Sequence, residues 1–203
     1  MPRPTIPSPL SPLTVAALLL APTAALAHTG AGATHGLAHG FMHPIGGLDH
    51  ILAMVTVGVF ASQLGGRALW LVPATFVLVM AAGGAAAMAG LATPFIEIGI
   101  AASVIVLGAM VALKVRAPLA AAMGLVGFFA IFHGYAHGAE MPHAAAGAVY
   151  GLGFMAATAL LHAAGIGLGL AAGRIGERHG TTAYRIAGCV VAAAGLGLLS
   201  GVL

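Results

Sequence analysis

Long apolar stretches, separated by short polar segments, fill almost all of this chain after its first residues. Only 5% of the residues are charged, whereas soluble domains carry roughly 25%, so a soluble fold of this size could not cover its surface. A helix needs roughly 20 apolar residues to cross about 30 Å of hydrocarbon. The sequence therefore predicts an all-α, polytopic membrane helix bundle. Its six predicted transmembrane helices cover 45–64, 68–91, 95–113, 118–134, 146–172 and 182–202.

The first 27 residues have the features of a secretory signal peptide. Arg3 supplies a basic start, 13–20 is an apolar core, and Ala25 and Ala27 form a small-x-small cleavage site. The alternative is an uncleaved first helix, which the prolines before the apolar core disfavour. We therefore predict a signal peptide over 1–27, an outer-facing tail with histidines over 28–43, and the transmembrane domain over 44–203.

Basic residues after the signal fall only in alternate loops of this predicted topology, or just inside the last helix. Such residues mark cytoplasmic loops, so the mature N-terminus, the 135–145 loop and the C-terminus are predicted to face the outside. A cleaved signal would deliver the N-terminus to the same side. The net charge of +3 thus reflects membrane topology and does not indicate nucleic-acid binding. The basic residues are Arg67, Lys114, Arg116, Arg174, Arg178 and Arg185.

Eight of the ten histidines lie on the predicted outer side, together with three of the four acids. Imidazole and carboxylate are ligands that suit nickel, cobalt, zinc and copper(II). The distribution therefore predicts a metal site at the outer ends of spans one, three and four. The eight histidines are His28, His35, His39, His43, His50, His133, His137 and His143, and the acids are Asp49, Glu97 and Glu140.

The spacing of these residues supports a shared centre. His43 and His50 are seven residues apart, so on one helix they would share a face. His133 and His137 are four residues apart, and Glu140 is seven residues beyond His133, again on one face. We therefore expect two helices to present imidazoles to the same ion.

Three further residues are candidate ligands. Glu97, in the first turn of span three, could add an oxygen. If the signal is cleaved, His28 would offer a free amine and an imidazole together, which is a chelating pair. His162 lies deep in span five, where it is either a lower site on the ion path or a histidine bonded to a neighbouring helix.

Each polar residue also has an explanation that needs no metal. Asp49 and Glu97 lie near predicted helix N-termini, where the helix dipole stabilises a carboxylate. His50 could serve only as a hydrogen-bonding partner of Asp49, and the histidines of span four could be interfacial polar residues. Against this, a charge as deep as Asp49 is costly in a membrane and usually functional.

The segment His43-Pro44-Ile45-Gly46-Gly47-Leu48-Asp49-His50 resembles the signature of the HupE/UreJ family of hydrogenase and urease accessory membrane proteins. Segments 97–103, 132–140 and 153–162 resemble later motifs of that family, in the same order. The first segment is also similar to the His-x4-Asp-His element of larger nickel/cobalt permeases, although here five residues separate His43 from Asp49. The resemblance assigns roles to His43, Asp49, His50, Glu97, His133, His137, Glu140 and His162.

The resemblance implies a secondary transporter of nickel, or in some members cobalt, in the bacterial inner (cytoplasmic) membrane. Its partners would be the divalent ion, membrane lipid and hydrogenase or urease maturation proteins. Two alternatives remain: a non-transporting accessory protein that binds metal, and a membrane-embedded metalloenzyme. Because no obvious nucleophile lies beside the cluster, we expect neither enzymatic activity nor a catalytic cofactor.

Overall fold

The computed structural model describes residues 36–140 and 145–203 of the chain. All regular elements in these ranges are α-helices, which confirms the predicted all-helical class. The predicted signal peptide and His28 lie outside the described residues. In the described ranges the helices are α1 (Leu37–Gly46), α2 (Leu48–Leu64), α3 (Ala68–Met88), α4 (Ile96–Ala112), α5 (Leu119–Glu140), α6 (Ala145–Arg174) and α7 (Glu177–Leu199).

Several of these helices are suited to a membrane. The helices α3, α5, α6 and α7 are each long and apolar enough to cross one. Helices α1 and α2 pass the same test only as a bent pair, and α4 is apolar but has 17 residues. Length and composition therefore give four or five crossings in the described residues, and six crossings would require α4 to span as well.

The chain bends sharply at Gly47, between α1 and α2, whose axes differ by 85°. Gly47 has extended dihedral angles, φ −99° and ψ 123°, so the helical hydrogen bonding is interrupted there. The expectation that His43 and His50 share one face of one helix is therefore wrong, because they lie on different helices. Residues 37–43, which we predicted as tail, form most of α1.

Small residues allow the helices to approach closely. The main pairings are α3 with α5, α4 with α7, and α6 with both α1 and α2. A Cβ atom on Gly134 of α5 would overlap the backbone carbonyl of Met80 on α3. Likewise, a Cβ atom on Gly58 of α2 would overlap the carbonyl of His162 on α6. Such contacts let packing hold apolar helices together where burial from water cannot.

The two ends of the bundle differ in chemistry. Arg67 and Arg116 line a cleft of about 470 Å³, and nearby the Lys114 ammonium donates to Thr181 Oγ1 over 3.0 Å. We call this the basic end. His50 lies in the first turn of α2 whereas Arg67 follows its last turn, and His137 lies in the last turn of α5 whereas Arg116 precedes its first turn. These histidines therefore lie at the opposite end, which we call the histidine end.

Candidate metal-binding site

Asp49 and His50 form a bonded pair in the first turn of α2. The Oδ1 atom of Asp49 lies 3.0 Å from Nδ1 of His50. The His50 side chain is buried, whereas that of Asp49 is 28% exposed. On the other side of the ring, His50 Nε2 lies 2.5 Å from Nε2 of His137 on α5. One carboxylate and two imidazoles from two helices are thus linked by direct contacts.

Four imidazole rings from three helices stand next to one another at the histidine end. The ring centroids are separated by 4.7 Å from His43 to His137, 4.4 Å from His137 to His50, and 5.0 Å from His50 to His133. We call this series of rings the histidine file. It combines α1, α2 and α5, so it exists only in the folded bundle.

A fifth histidine lies deeper, beyond an aromatic ring. The Phe76 ring of α3 lies 5.6 Å from the ring of His133 and 5.1 Å from that of His162 on α6. His162 is 1% exposed. His162 therefore does not belong to the series of four rings, and Phe76 lies against both His162 and His133.

Several buried imidazole nitrogens have no hydrogen-bond partner among the described residues. Buried polar atoms without partners are uncommon, and each costs about 1–3 kcal/mol when left unsatisfied. A metal ion would remove this cost at a nitrogen that carries a lone pair, which a neutral imidazole has on one of its two ring nitrogens. The atoms are Nδ1 of His133, Nδ1 of His137, and both Nδ1 and Nε2 of His162.

Aromatic residues of α6 cover one side of the histidine file. The ring of Phe154 lies 4.5 Å from that of His137 and 6.0 Å from that of His50. Tyr150, one turn earlier, lies 6.0 Å from His43. Tyr150 and Phe76 could not be selected from the sequence, because an aromatic residue in an apolar helix is indistinguishable from core. Phe154 lies in segment 153–162, which resembles a family motif, but no role was assigned to it.

Ser103 of α4, to which no role was assigned from the sequence, contacts the innermost ring of the file. It is completely buried, and its Oγ lies 2.9 Å from His133 Nε2 and 2.6 Å from the carbonyl oxygen of Ile100. The sequence feature that could have identified Ser103 is that it is a polar residue within an otherwise apolar span.

Not every predicted ligand reaches the file. Glu97 is exposed in the first turn of α4, and none of the described contacts joins it to the rings. His39 is exposed on α1, with its ring 6.0 Å from Tyr150. Glu140 ends α5, but its side chain lies outside the described part of the chain.

The described side chains are not arranged as a completed metal site: in residues 36–140 and 145–203, no three His, Cys, Asp or Glu groups are placed to hold one ion. Two nitrogens bound to one ion at about 2.1 Å each would lie roughly 3 Å apart or more. The 2.5 Å separation between His50 and His137 is instead that of a hydrogen bond. An entering ion would therefore have to turn some of the rings.

The chain is similar to known proteins along most of its length. A family model described as "HupE / UreJ protein" matches residues 16–198. The protein described as "Protein HupE" from Rhizobium leguminosarum bv. viciae is 49% identical over 188 residues, which cover 93% of this chain and 96% of that protein. No solved structure matches the chain.

Proposed function

The chain belongs to the HupE/UreJ family, and from this premise we propose that it is a secondary permease for nickel or cobalt ions. It would take up the ion across the bacterial inner membrane and supply the maturation proteins of hydrogenase or urease. The observation that supports this most directly is the histidine file, since contiguous imidazoles suit these ions. A series of adjacent ligands also suits the transfer of an ion from one position to the next better than tight binding at a single position.

In this proposal the ion enters at the histidine end and moves inward along the rings. Neighbouring centroids are 4.4–5.0 Å apart, so small rotations can pass an ion between nitrogens without full rehydration. His162 then serves as an inner station behind Phe76. No hydrogen bond among the described residues occupies either ring nitrogen of buried His162, so the nitrogen with the lone pair is available to the ion.

The proposed topology sets the histidine end outside and the basic end in the cytoplasm. The bundle would cross the membrane six times after removal of the signal, with α1 and α2 as a broken first span. Broken helices place binding sites at membrane depth in other secondary transporters. An inward-negative potential would contribute about 2.3 kcal/mol per charge per 100 mV, and roughly twice that for a divalent ion. In the proposed outer site, Glu140 and His28 would add ligands from outside the file, and Glu97 would do so only after its exposed side chain turns toward the rings.

Transport by the purified protein is the decisive test. The full-length protein is reconstituted into liposomes, and ⁶³Ni²⁺ accumulation is measured with and without an inside-negative potential. We expect protein-dependent accumulation that the potential accelerates. A non-transporting accessory protein would bind ⁶³Ni²⁺ in detergent yet leave the liposome interior at the level of protein-free vesicles, and that result would refute the permease.

A side chain at Gly47 is expected to weaken uptake by displacing the Asp49–His50 pair. An alanine Cβ there would lie 2.8 Å from Asp49 Oδ1 and 3.2 Å from His50 Nδ1. Disturbing the group that orients a ligand typically costs about tenfold or more in metal affinity. We therefore expect Gly47→Ala to lower ⁶³Ni²⁺ uptake at limiting nickel by roughly tenfold.

Gly46→Ala is the matched control for this substitution. It adds the same methyl group one residue earlier, where a Cβ meets nothing within 4 Å. Its uptake should equal that of the unmodified protein at equal expression. Equal uptake by the Gly47 and Gly46 variants would mean that the Asp49–His50 geometry is not required.

A further inference from the structure

Ser103 determines which nitrogen of His133 carries the proton. A serine hydroxyl has one hydrogen to donate. The 2.6 Å contact with the Ile100 carbonyl uses that hydrogen, because a carbonyl oxygen can only accept. In the 2.9 Å contact between Ser103 Oγ and His133 Nε2 the nitrogen must therefore be the donor. In a neutral imidazole this leaves the lone pair on His133 Nδ1.

The same reasoning applies to the chain that begins at Asp49. An ionised carboxylate only accepts, so His50 Nδ1 donates to Asp49. With neutral rings, His50 Nε2 then holds a lone pair and accepts from His137 Nε2. The lone pair of His137 consequently lies on its Nδ1 atom.

Two independent hydrogen-bond networks thus leave the same kind of atom available. His133 Nδ1 and His137 Nδ1 are both buried, and neither has a hydrogen-bond partner among the described residues. The two residues are four apart on α5, so they occupy neighbouring positions on one face of the helix. Histidines that bind metals usually donate their second ring N–H to a neighbouring group, which fixes the tautomer.

We propose that a first-row divalent cation is bound through Nδ1 of His133 and Nδ1 of His137, with Ser103 as the positioning residue for His133. Asp49 and His50 then orient His137 and do not ligate the cation at this position. The inference rests on the proposed function and names the atoms and supporting residues of the same site. This assignment differs from the hypothesis based on the His43–His50 motif, in which Asp49 and His50 are themselves ligands.

Ser103→Ala tests the proposal by removing the acceptor for His133 Nε2 while leaving both rings in place. Nickel affinity of the purified full-length protein, measured by equilibrium dialysis with ⁶³Ni²⁺, should fall roughly 10- to 100-fold. Ser62→Ala is the matched control, because Ser62 Oγ also bonds a carbonyl three residues earlier, that of Val59, at 2.6 Å, and no histidine is involved. Thermal unfolding of both variants should stay close to that of the unmodified protein.

A spectroscopic measurement separates positioning from a purely structural role. In protein labelled with ¹⁵N-histidine, Zn²⁺ as a diamagnetic probe should shift unprotonated Nδ1 resonances, which His133→Asn identifies by deletion. In Ser103→Ala the His133 signals should lose their single-tautomer character. Zn²⁺ shifts at Nε2 instead, or unchanged nickel affinity in Ser103→Ala, would overturn the assignment while leaving transport intact. Absence of nickel binding by the unmodified protein would instead refute the proposed function itself.

Discussion

Replacing His50 by alanine is expected to reduce nickel uptake to the level of cells that lack the protein. The His50 ring is adjacent to the rings of both His137 and His133, at 4.4 and 5.0 Å, and its Nδ1 atom contacts the Asp49 carboxylate. Its removal breaks the histidine file at its centre and leaves His137 Nε2 without its acceptor. Because the ion path loses one of its rings and His137 loses the group that orients it, the decrease should reach about 100-fold.

The measurement is ⁶³Ni²⁺ accumulation by cells that express each variant, with protein amounts matched by immunoblot. His179→Ala provides the control, because His179 is exposed in the first turn of α7 near the basic end. It should transport like the unmodified protein, although the substitution is chemically identical. Full uptake by the His50 variant would remove the histidine file from the transport path.

Much of the site could be predicted from the sequence because membrane chemistry penalises stray polar groups. In an apolar chain, a buried histidine or carboxylate needs a specific partner. His133 and His137, predicted from their spacing to share a face, do meet His50 across the bundle. The histidines could be identified as candidate ligands because few other residues in the spans can coordinate an ion.

The bend at Gly47 could not be located from periodicity. Helical spacing assumes a continuous helix, and apolar residues continue on both sides of the break. Pro44 and the paired glycines indicated a region where a helix can bend at low energetic cost. However, Pro44 lies within α1, and the chain turns only after it. The direction of α1 depends instead on its close packing with α6, which is a tertiary interaction.

Ser103 and Glu97 show that the chemistry of a side chain alone does not predict which residue of a helix reaches the site. Glu97 was the obvious candidate on α4 because it carries charge, yet it is exposed at the helix start. Ser103, with a neutral hydroxyl, lies on the same helix and contacts His133 of the histidine file. The rotation of a helix about its axis decides which of its residues face the site. That rotation cannot be predicted when nearly all residues of the helix are apolar.

The site also depends on the close crossing of α3 and α5, so Gly134→Ala is expected to destabilise the whole bundle. The added methyl group would overlap the backbone carbonyl of Met80, and a backbone atom cannot move aside as a flexible side chain can. Phe76, one turn before Met80, lies against both His133 and His162. Separating the two helices would therefore disturb the file and its inner station together.

Overpacking of this kind costs about 1–3 kcal/mol, and more when helices must shift. Thermal unfolding in detergent should show a Tm lower by several degrees, accompanied by reduced uptake. Gly124→Ala makes the same change on the same helix where a Cβ meets nothing within 4 Å, so it should leave Tm unchanged or slightly higher. If Gly134→Ala matched Gly124→Ala in stability, the tight contact between α3 and α5 would not be what holds Phe76 between the histidine file and His162.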